Sequence, residues 1–361
     1  MRISALGTLR DEVLKSHKSQ LKAIQALTEK DARLTELHAW LAGNFFKANT
    51  FSLAPASADA SFRRYFRITA QGNTWIAMDA PSPQEDCRPF VRVAGLMQAA
   101  GLNVPQIVAQ DLDRGFLLLS DLGTTTFLNG FDASNPDACF SDAIDALIAW
   151  QRASQPGVLP PYDAALLRRE IDLFPDWYVD KHLQTTLSAV QRKVFDDVAK
   201  RLIDAALAQP RVYVHRDYMP RNLMFSTPNP GVLDFQDAVY GPITYDVASL
   251  FRDAFISWPE ERELDWVIRY WERAKAAGLP VNEDFATFWR DFEWMGLQRH
   301  IKVLGIFARI NYRDGKPHYL KDTPRFIEYA RKVSTRYREL GPFAKLLDEL
   351  EGRAPGIGYT F

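Results

Sequence analysis

Three oxygen-bearing side chains in two nearby segments have the types and spacing that phosphoryl transfer requires. The segment VYVHRDYMPRNLMF (Val212 to Phe225) contains Asp217 and Asn222, and GVLDFQDAVYG (Gly231 to Gly241) contains Asp234. Transfer from a nucleotide needs a carboxylate that orients the attacking hydroxyl, and oxygen ligands that hold Mg²⁺ on the phosphates. Asp217 is the candidate for the first role, and Asn222 and Asp234 are candidates for the second.

Short β segments are needed to bring these side chains together. The apolar run before His215 and the run that ends at Asp234 both read as short strands that carry polar residues at their ends. A carboxamide and a carboxylate on adjacent hairpin strands can converge on one cation. We therefore expect Asn222 and Asp234 to face the same ion.

The part of the chain before this region predicts a small antiparallel β-sheet lobe with one internal helix. An amphipathic helix begins near Asp31, and a hairpin joins Arg63–Ala70 to Thr74–Ala80 through a QGN turn. The segments QIVAQD and GFLLLSDLG predict two more strands, and Pro89–Gly101 between the two pairs has a helical pattern.

From residue 123 onward the pattern is mainly helical, with several tryptophans in long amphipathic segments. The expected fold class is α+β, with two lobes joined by a hinge. We expect a polar N-terminal extension over residues 1–30 with the pattern of a loosely ordered helix, a small lobe over 31–122 and a large lobe over 123–361.

Composition narrows the function classes. The 361 residues include 47% hydrophobic residues, and 44 Lys or Arg nearly balance 45 Asp or Glu, so neither nucleic acid nor an anionic membrane is an expected partner. The two cysteines, Cys87 and Cys139, form no CxxC pair, which favours a reduced, cytoplasmic protein. No apolar run approaches the roughly 20 residues of a membrane span. No feature indicates an obligate protein partner.

The pattern H-x-D-x-x-P-x-N, followed by a short β excursion and an Asp after an apolar run, resembles the aminoglycoside phosphotransferase and choline kinase group, relatives of protein kinases. The resemblance covers roughly residues 35–340. It implies a bilobal protein-kinase-like fold that uses ATP and Mg²⁺. It also implies Asp217 as catalytic base, Asn222 and Asp234 as Mg²⁺ ligands, and His215 and Asp246 as residues that support the catalytic loop.

The resemblance also implies where the nucleotide binds. SDLGTTTF occupies the place of the group's hinge, which would offer backbone groups of Ser120, Asp121 and Leu122 to adenine. ADASFRRYFR occupies the place of the phosphate-covering loop but contains no glycine. Contact with phosphate would then depend on a set of neighbouring residues, namely Ala60, Ser61, Phe62, Arg63 and Arg64.

The sequence departs from the group's pattern at two cationic positions. Met78 stands where the third strand of the group carries a phosphate-contacting lysine, and Glu85 is the candidate for that lysine's partner glutamate. Met219 stands where protein kinases carry a lysine two residues past the catalytic aspartate, although Arg221 is near. Either an arginine replaces the strand lysine or nucleotide binding is unusual.

The acceptor is expected to be a small molecule. Only 11 residues separate Asp234 from Asp246, and no A-P-E follows, which disfavours a peptide-docking kinase. Longer matches, such as DAPSPQEDCRPFVRVAGLMQAAGLNVP and QRHIKVLGIFARINYRDGK, resemble bacterial anomeric sugar kinases. These enzymes phosphorylate N-acetylmuramate and N-acetylglucosamine at the 1-hydroxyl during cell-wall recycling. The resemblance implies an amino-sugar partner beside ATP.

Charge in the C-terminal part is compatible with an anionic sugar. Between Arg299 and Arg338 there are eleven Lys or Arg and three acids, a net charge of +8, whereas a site for cationic aminoglycosides should carry carboxylates. The alternative explanation is a solvated helix face. Candidate acceptor-binding residues are Arg299, His300, Trp177 and Tyr178, with core packing as the alternative for the two aromatic residues.

Two other functions remain open from the sequence. One is phosphorylation of an amino-alcohol or aminoglycoside hydroxyl, against which the basic segment counts. The other is a pseudokinase, a nucleotide-binding scaffold without turnover, for which Met78 is the main support. The complete set of Asp217, Asn222 and Asp234 argues against a scaffold.

Overall fold

The computed structural model describes residues 31–47, 50–57, 62–132 and 135–353. These residues divide into two compact units. One contains the described residues up to Val91 together with Pro105–Asp121, and the other contains Arg92–Val104 together with the described residues from Leu122 onward. The expected lobe boundary after residue 122 stays a prediction. Residues 1–30, for which an extension was predicted, lie outside the described residues.

The first unit is built on an antiparallel sheet. Among the described residues this sheet has five strands in the order β1-β2-β3-β5-β4, and helix α1 (Ala32–Asn44) precedes it. The strands are β1 (Phe51–Ser57), β2 (Arg64–Ala70), β3 (Asn73–Asp79), β4 (Ile107–Asp111) and β5 (Phe116–Ser120). Helix α2 (Arg88–Ala99) lies between β3 and β4 in the chain. The hairpin β2–β3 and the pair β4–β5 agree with the sequence prediction, whereas β1 was not predicted.

Burial of one helix stripe explains why α1 packs on the sheet. The Asp31 carboxylate caps the helix by accepting a hydrogen bond from the Leu34 N–H. Leu37 and Leu41 on the apolar stripe are fully buried, and the same core contains Ile68 of β2. Strand β1 escaped prediction because its sequence FSLAPAS contains a proline, which sheets tolerate mainly at an edge such as this one.

A glycine allows β3 and β5 to join closely. Gly115 adopts a positive φ of 74°, and a Cβ at this position would lie 2.1 Å from the Ala80 carbonyl oxygen. The Ala80 N–H donates to the Gly115 carbonyl at 2.8 Å. Any larger residue would therefore separate the ends of the two strands.

The second unit is mainly helical, as predicted. Its α-helices are α3 (Phe127–Gly130), α4 (Asp137–Arg152), α5 (Ala164–Ile171), α6 (Ala189–Ala208), α7 (Tyr245–Phe251), α8 (Glu260–Ala276), α9 (Phe285–Asp314), α10 (Thr323–Arg336) and α11 (Gly341–Leu350). A π-helix covers Phe174–His182, and 3₁₀ helices cover Pro220–Asn222, Pro317–Asp322 and Arg338–Leu340. No helix in the described part of the chain is both long enough and apolar enough to cross a membrane.

Two short antiparallel strand pairs interrupt the helices and carry the predicted motif. Strand β6 (Arg211–Val214) pairs with β9 (Val239–Pro242), and β7 (Leu223–Met224) pairs with β8 (Gly231–Val232). The loop from β6 to β7 contains Asp217, and Asp234 lies between β8 and β9. Both predicted short strands are therefore present, and each positions one half of the candidate site.

Helix α9 forms the centre of the second unit. All residues from 292 to 305 are buried, so this helix is covered on every side over that length. A Cβ at Gly305 would lie 2.3 Å from the backbone carbonyl carbon of Leu173. The helix ends at Asp314 and is capped by Gly315, which has a φ of 69° and donates its N–H to the Asn311 carbonyl at 3.1 Å.

Candidate active site

His215 organises the start of the catalytic loop. It follows strand β6, is fully buried, and places its Nε2 2.9 Å from the Leu233 carbonyl oxygen. Its Nδ1 accepts a hydrogen bond from the Asp217 N–H at 3.2 Å, so Nε2 carries the proton and donates to Leu233. Burial lowers the pKa of His215 to about 4, although the negative charge of Asp217 acts to raise it. His215 is therefore a neutral, structural residue at pH 7.

Asp246 braces the same loop from the first turn of α7. It is fully buried and accepts hydrogen bonds from the backbone N–H groups of His215, at 2.6 Å, and Arg216, at 3.0 Å. Burial raises the pKa of Asp246 to about 7, although both N–H groups favour the carboxylate. Arg216 has a positive φ of 79°, a conformation that costs on the order of 1–3 kcal/mol at a non-glycine residue. The two hydrogen bonds hold the loop in this strained turn.

Asp217 presents its carboxylate at the end of this turn. The side chain is 40% exposed, and its Oδ1 lies 3.9 Å from the Arg299 Nη2. Partial desolvation favours the neutral carboxyl, but the positive charges of Lys302, Arg299 and Arg216 outweigh it and lower the pKa of Asp217. The residue is therefore ionised at neutral pH and able to accept a hydrogen bond from a hydroxyl.

Asn222 and Asp234 lie side by side, as the hairpin argument predicts. The Asn222 Nδ2 is 2.9 Å from the Asp217 carbonyl oxygen and 3.3 Å from the Asp234 Oδ2. The Leu233 N–H donates to the Asn222 carbonyl at 2.9 Å, which joins the two segments just before Asp234. A carboxamide and a carboxylate supply the oxygen donors that Mg²⁺ prefers, so the residues present fit this ion.

Gln236 also belongs to this group, although the sequence did not predict it. Its Nε2 donates to the Asp234 Oδ1 at 2.8 Å, and its buried Oε1 has no hydrogen-bond partner among the described residues. Asp234 itself has a positive φ of 63°. Its position two residues after Asp234, beyond the same strand, was the feature of the sequence that could have predicted it.

A buried charge cluster beside the loop was also not predicted. The Lys302 Nζ lies 3.1 Å from the Glu170 Oε1 and 3.0 Å from the Tyr245 hydroxyl. Glu170 also accepts hydrogen bonds from Arg216 and from the Tyr162 hydroxyl. Burial opposes ionisation of Glu170, but Lys302 and Arg216 outweigh it and lower its pKa to about 2. The cluster fixes Arg216 and brings the charge of Lys302 near Asp217.

Two of the predicted phosphate-loop residues, Arg63 and Arg64, form ion pairs within the first unit. The Arg63 Nη2 lies 2.9 Å from the Glu85 Oε2, and the Phe62 N–H donates to the Glu85 Oε1 at 3.2 Å. The Arg64 Nε donates to Asp79 at 3.0 Å. Arg64 also pairs with Asp31. The other two predicted residues of this loop, Ala60 and Ser61, lie outside the described residues.

The predicted adenine-binding segment follows β5. The Ser120 Oγ accepts a hydrogen bond from the Gln106 N–H at 2.8 Å. Asp121 binds Arg67 through both carboxylate oxygens, at 2.6 and 3.0 Å. Leu122 belongs to the second unit. The side chains of Ser120 and Asp121 thus stabilise the sheet, and a role in nucleotide binding through backbone groups stays a prediction.

Arg299 and His300, two of the four candidate acceptor residues, lie next to each other on α9 but contact different residues. Arg299 is 2% exposed and approaches Asp217, as given above. His300 is fully buried and stacks on Tyr329 with ring centroids 4.7 Å apart. Burial lowers the pKa of His300 well below its ordinary value. Its position disfavours contact with a sugar.

The other two candidates lie on the π-helix. Tyr178 is 5% exposed and stacks on Phe174 with ring centroids 5.4 Å apart, so it packs in the core, as the alternative to a sugar contact predicts. Trp177 is half-buried. Tyr178 is therefore disfavoured as a sugar contact, and Trp177 stays a prediction.

Comparison with known proteins identifies relatives of high similarity. Residues 52–281 match the model of the "Phosphotransferase enzyme family". The chain is 54% identical to the N-acetylmuramate/N-acetylglucosamine kinase of Pseudomonas putida over 91% of this chain and 99% of the relative. It is 50% identical to the protein of the same name from Neisseria meningitidis, again over 91% and 99% of the two chains.

Solved structures support the fold. The Plasmodium vivax ethanolamine kinase matches with a TM-score of 0.59 at 10% identity, covering 83% of this chain and 87% of the other. A choline/ethanolamine kinase family protein from Mesorhizobium loti also gives 0.59, at 14% identity over 88% and 99% of the two chains. The protein-kinase-like fold expected from the sequence is thereby confirmed. With the family match over most of the chain and the high identity to these kinases, the chain belongs to the phosphotransferase enzyme family.

Proposed function

We propose that this protein is an ATP- and Mg²⁺-dependent kinase that phosphorylates the anomeric 1-hydroxyl of N-acetylmuramate and N-acetylglucosamine. The observation that supports the proposal is the Asn222 side chain, which joins the Asp217 backbone carbonyl to the Asp234 carboxylate, in a chain that matches kinases of this name along 91% of its length. We assign the reaction to the cytoplasm and to cell-wall recycling, as expected from the sequence.

Asp217 orients the acceptor and receives its proton. The ionised carboxylate accepts a hydrogen bond from the anomeric hydroxyl, which aligns the sugar oxygen with the γ-phosphorus. The new bond forms between that oxygen and the γ-phosphorus, the bond from the γ-phosphorus to the bridging oxygen breaks, and ADP leaves. The hydroxyl proton passes to an oxygen of Asp217. Asn222 and Asp234 would hold Mg²⁺, which would neutralise charge on the phosphates.

Arg299 supplies a fixed positive charge next to the reacting atoms. Its Nη2 lies 4.0 Å from the sulfur of Met219, the residue that stands in place of the protein-kinase lysine. The side chain comes from α9 and is almost fully buried, so its charge is poorly screened. We assign it to stabilising negative charge that develops during transfer.

The experiment is a substrate panel with Mg-ATP. ADP release should occur with N-acetylmuramate and N-acetylglucosamine, and ³¹P NMR should show a phosphate coupled to the anomeric proton. The methyl 1-glycosides of both sugars should be inactive because they lack a free anomeric hydroxyl. Phosphorylation of these glycosides would assign another hydroxyl.

The panel also separates the two alternative functions. Turnover of choline, ethanolamine or kanamycin without turnover of either amino sugar would establish the second kinase function. ATP binding without any ADP release across the panel would establish a pseudokinase. The intact charge arrangement around Asp217 is the physical reason to expect turnover.

A further inference from the structure

Strand β3 provides no cation for a nucleotide phosphate. Met78 is fully buried and pairs with Tyr65 of β2 and Leu117 of β5, so a thioether occupies the position where the family's lysine is expected. The next residue, Asp79, is acidic and fully buried. Phosphate oxygens bound near this strand need a positive charge from another element.

Three neighbouring arginines of the first unit are each bound to a carboxylate of the sheet or of the segment before α1. Arg33 and Arg64 both pair with Asp79, and Arg64 also pairs with Asp31. Arg67 pairs with Asp121 after β5, through the two hydrogen bonds described above. These contacts join α1 and the strands, so the arginines hold the sheet together.

Arg63 has different surroundings. It immediately precedes β2 and pairs with Glu85, which lies before α2. The two side chains are only 11% and 13% exposed, and Glu85 is fixed further by the Phe62 N–H. The pair has the form of the lysine–glutamate ion pair that orients the phosphate-binding cation in protein kinases.

Strand register separates the surroundings of Arg63 from those of Arg64. Arg64 is the register partner of Asp79 and binds it, so its side chain lies on the Asp79 face of the sheet. Successive side chains of a strand point to opposite faces, so Tyr65 and its register partner Met78 lie on the other face. Arg63, just before the first residue of β2, instead binds Glu85.

We infer that Arg63, oriented by Glu85, replaces the missing lysine and binds the α- and β-phosphate oxygens of the nucleotide. A guanidinium has five N–H donors in a planar fork, so it can bind Glu85 with one edge and still donate to phosphate with another. The inference depends on the ATP use that the proposed function includes. It assigns nucleotide binding to Arg63 and a positioning role to Glu85.

Equilibrium binding of ADP and adenosine to Arg63→Met and Arg63→Lys tests this inference. In Arg63→Met the dissociation constant of ADP should rise by 10- to 100-fold, while that of adenosine should change less than twofold, because adenosine has no phosphate. Arg63→Lys should recover part of the ADP affinity. Glu85→Gln, which keeps an acceptor for the Phe62 N–H, should raise the dissociation constant of ADP by 2- to 10-fold.

Arg114→Met is the matched control in the same unit. Arg114 is 49% exposed and pairs with Asp111, so ADP affinity should stay within twofold of wild type. An equal loss of ADP and adenosine affinity in Arg63→Met would indicate a merely structural role and overturn the inference, as would unchanged ADP affinity. If Arg63→Met loses ADP affinity as expected but the wild type phosphorylates neither amino sugar, the proposed function is overturned and this inference stands.

Discussion

At the scale of single residues, the charge state of Asp217 is central to the proposed chemistry. The carboxylate is kept ionised by Lys302, Arg299 and Arg216, although the surrounding protein partly desolvates it. Its orientation is fixed through the main chain, because its own N–H and its carbonyl are hydrogen-bonded to His215 and Asn222. Substitution of the side chain should therefore affect chemistry more than folding.

Asp217→Asn should lower kcat for amino-sugar phosphorylation by at least about 10³-fold, because the amide cannot accept the hydroxyl proton. The KM for ATP should change little, and the melting temperature should stay close to wild type. Steady-state kinetics and thermal unfolding measure these effects. Asp237→Asn, at an exposed position beyond β8, is the matched control and should keep full activity. Near-normal turnover in Asp217→Asn would contradict the mechanism.

Asp234→Asn should weaken metal binding, because it removes the negative charge beside Asn222. We expect the Mg²⁺ concentration for half-maximal activity to rise about tenfold or more. Binding gives an independent measurement: Mg²⁺ should enhance ADP affinity in the wild type and have little effect in the variant. If both proteins respond equally to Mg²⁺, Asp234 is not a ligand.

At the scale of elements, the catalytic loop depends on a neutral, buried histidine. His215 holds the loop against the Leu233 carbonyl, and its folded pKa of about 4 is below the ordinary value of 6.5. Neutral His215 makes its full contribution to the free energy of unfolding above pH 6.5, and this contribution is lost as the pH falls from 6.5 to 4. Over this range the loss amounts to about 3 kcal/mol.

His215→Gln should remove this part of the pH dependence. Its destabilisation relative to wild type should be largest at pH 7 and should shrink by about 2 kcal/mol at pH 5, since the wild type then bears the cost of protonating His215. Urea unfolding of both proteins at the two pH values measures the difference. A difference that is independent of pH would mean that His215 does not titrate in this way.

The packing of α9 on the π-helix requires a glycine at one position. Gly305→Ala should destabilise the protein by more than about 2 kcal/mol, because the new methyl group would overlap the backbone of Leu173. Gly296→Ala in the same helix is the control. Its Cβ would meet side-chain atoms of Arg252 at 3.6 Å, an ordinary contact, so the change should be neutral or stabilising by about 0.5–1 kcal/mol. Equal effects in denaturant unfolding would refute this explanation.

At the scale of the whole molecule, a buried ion network joins several helices of the second unit. Glu293 of α9 is fully buried and accepts hydrogen bonds from Arg252 at 3.1 Å and from the Tyr337 hydroxyl at 2.6 Å. Arg336, at the end of α10, binds the same carboxylate. Arg252 also pairs with Glu263 of α8 at 3.2 Å.

Glu293→Ala should cost about 3–5 kcal/mol, because it leaves two arginines and a tyrosine hydroxyl without their shared acceptor. Glu339→Ala is the control. That side chain is 47% exposed and lies 3.6 Å from Arg290, so its removal should change stability by less than about 0.5 kcal/mol. Chemical denaturation of both variants measures the contrast, and similar losses would show that the network is not a main source of stability.

The net positive charge between Arg299 and Arg338 does not correspond to a positive surface of the same size, because cations of this segment pair with acids from other parts of the chain. Arg331 pairs with Asp348 and Glu351, and Lys332 pairs with Glu260, so acids outside the segment neutralise these two cations. This pairing favours a solvated helix face for α10, whereas Arg299 and Lys302 of the same segment are buried in α9 near Asp217. Acceptor selectivity must therefore be tested on the sugar panel, because net charge along the chain cannot decide it.

The sequence by itself determined the fold class, the hairpin β2–β3 and the motif that carries Asp217, Asn222 and Asp234, because period, turn residues and spacing are local properties of the chain. The partnerships of Glu170 with Lys302, of Arg63 with Glu85 and of Glu293 with Arg336 became visible only in the tertiary structure. These pairs are separated along the chain, and no local pattern indicates which charges meet. Burial gives such contacts their strength, and burial depends on how the helices and strands pack together.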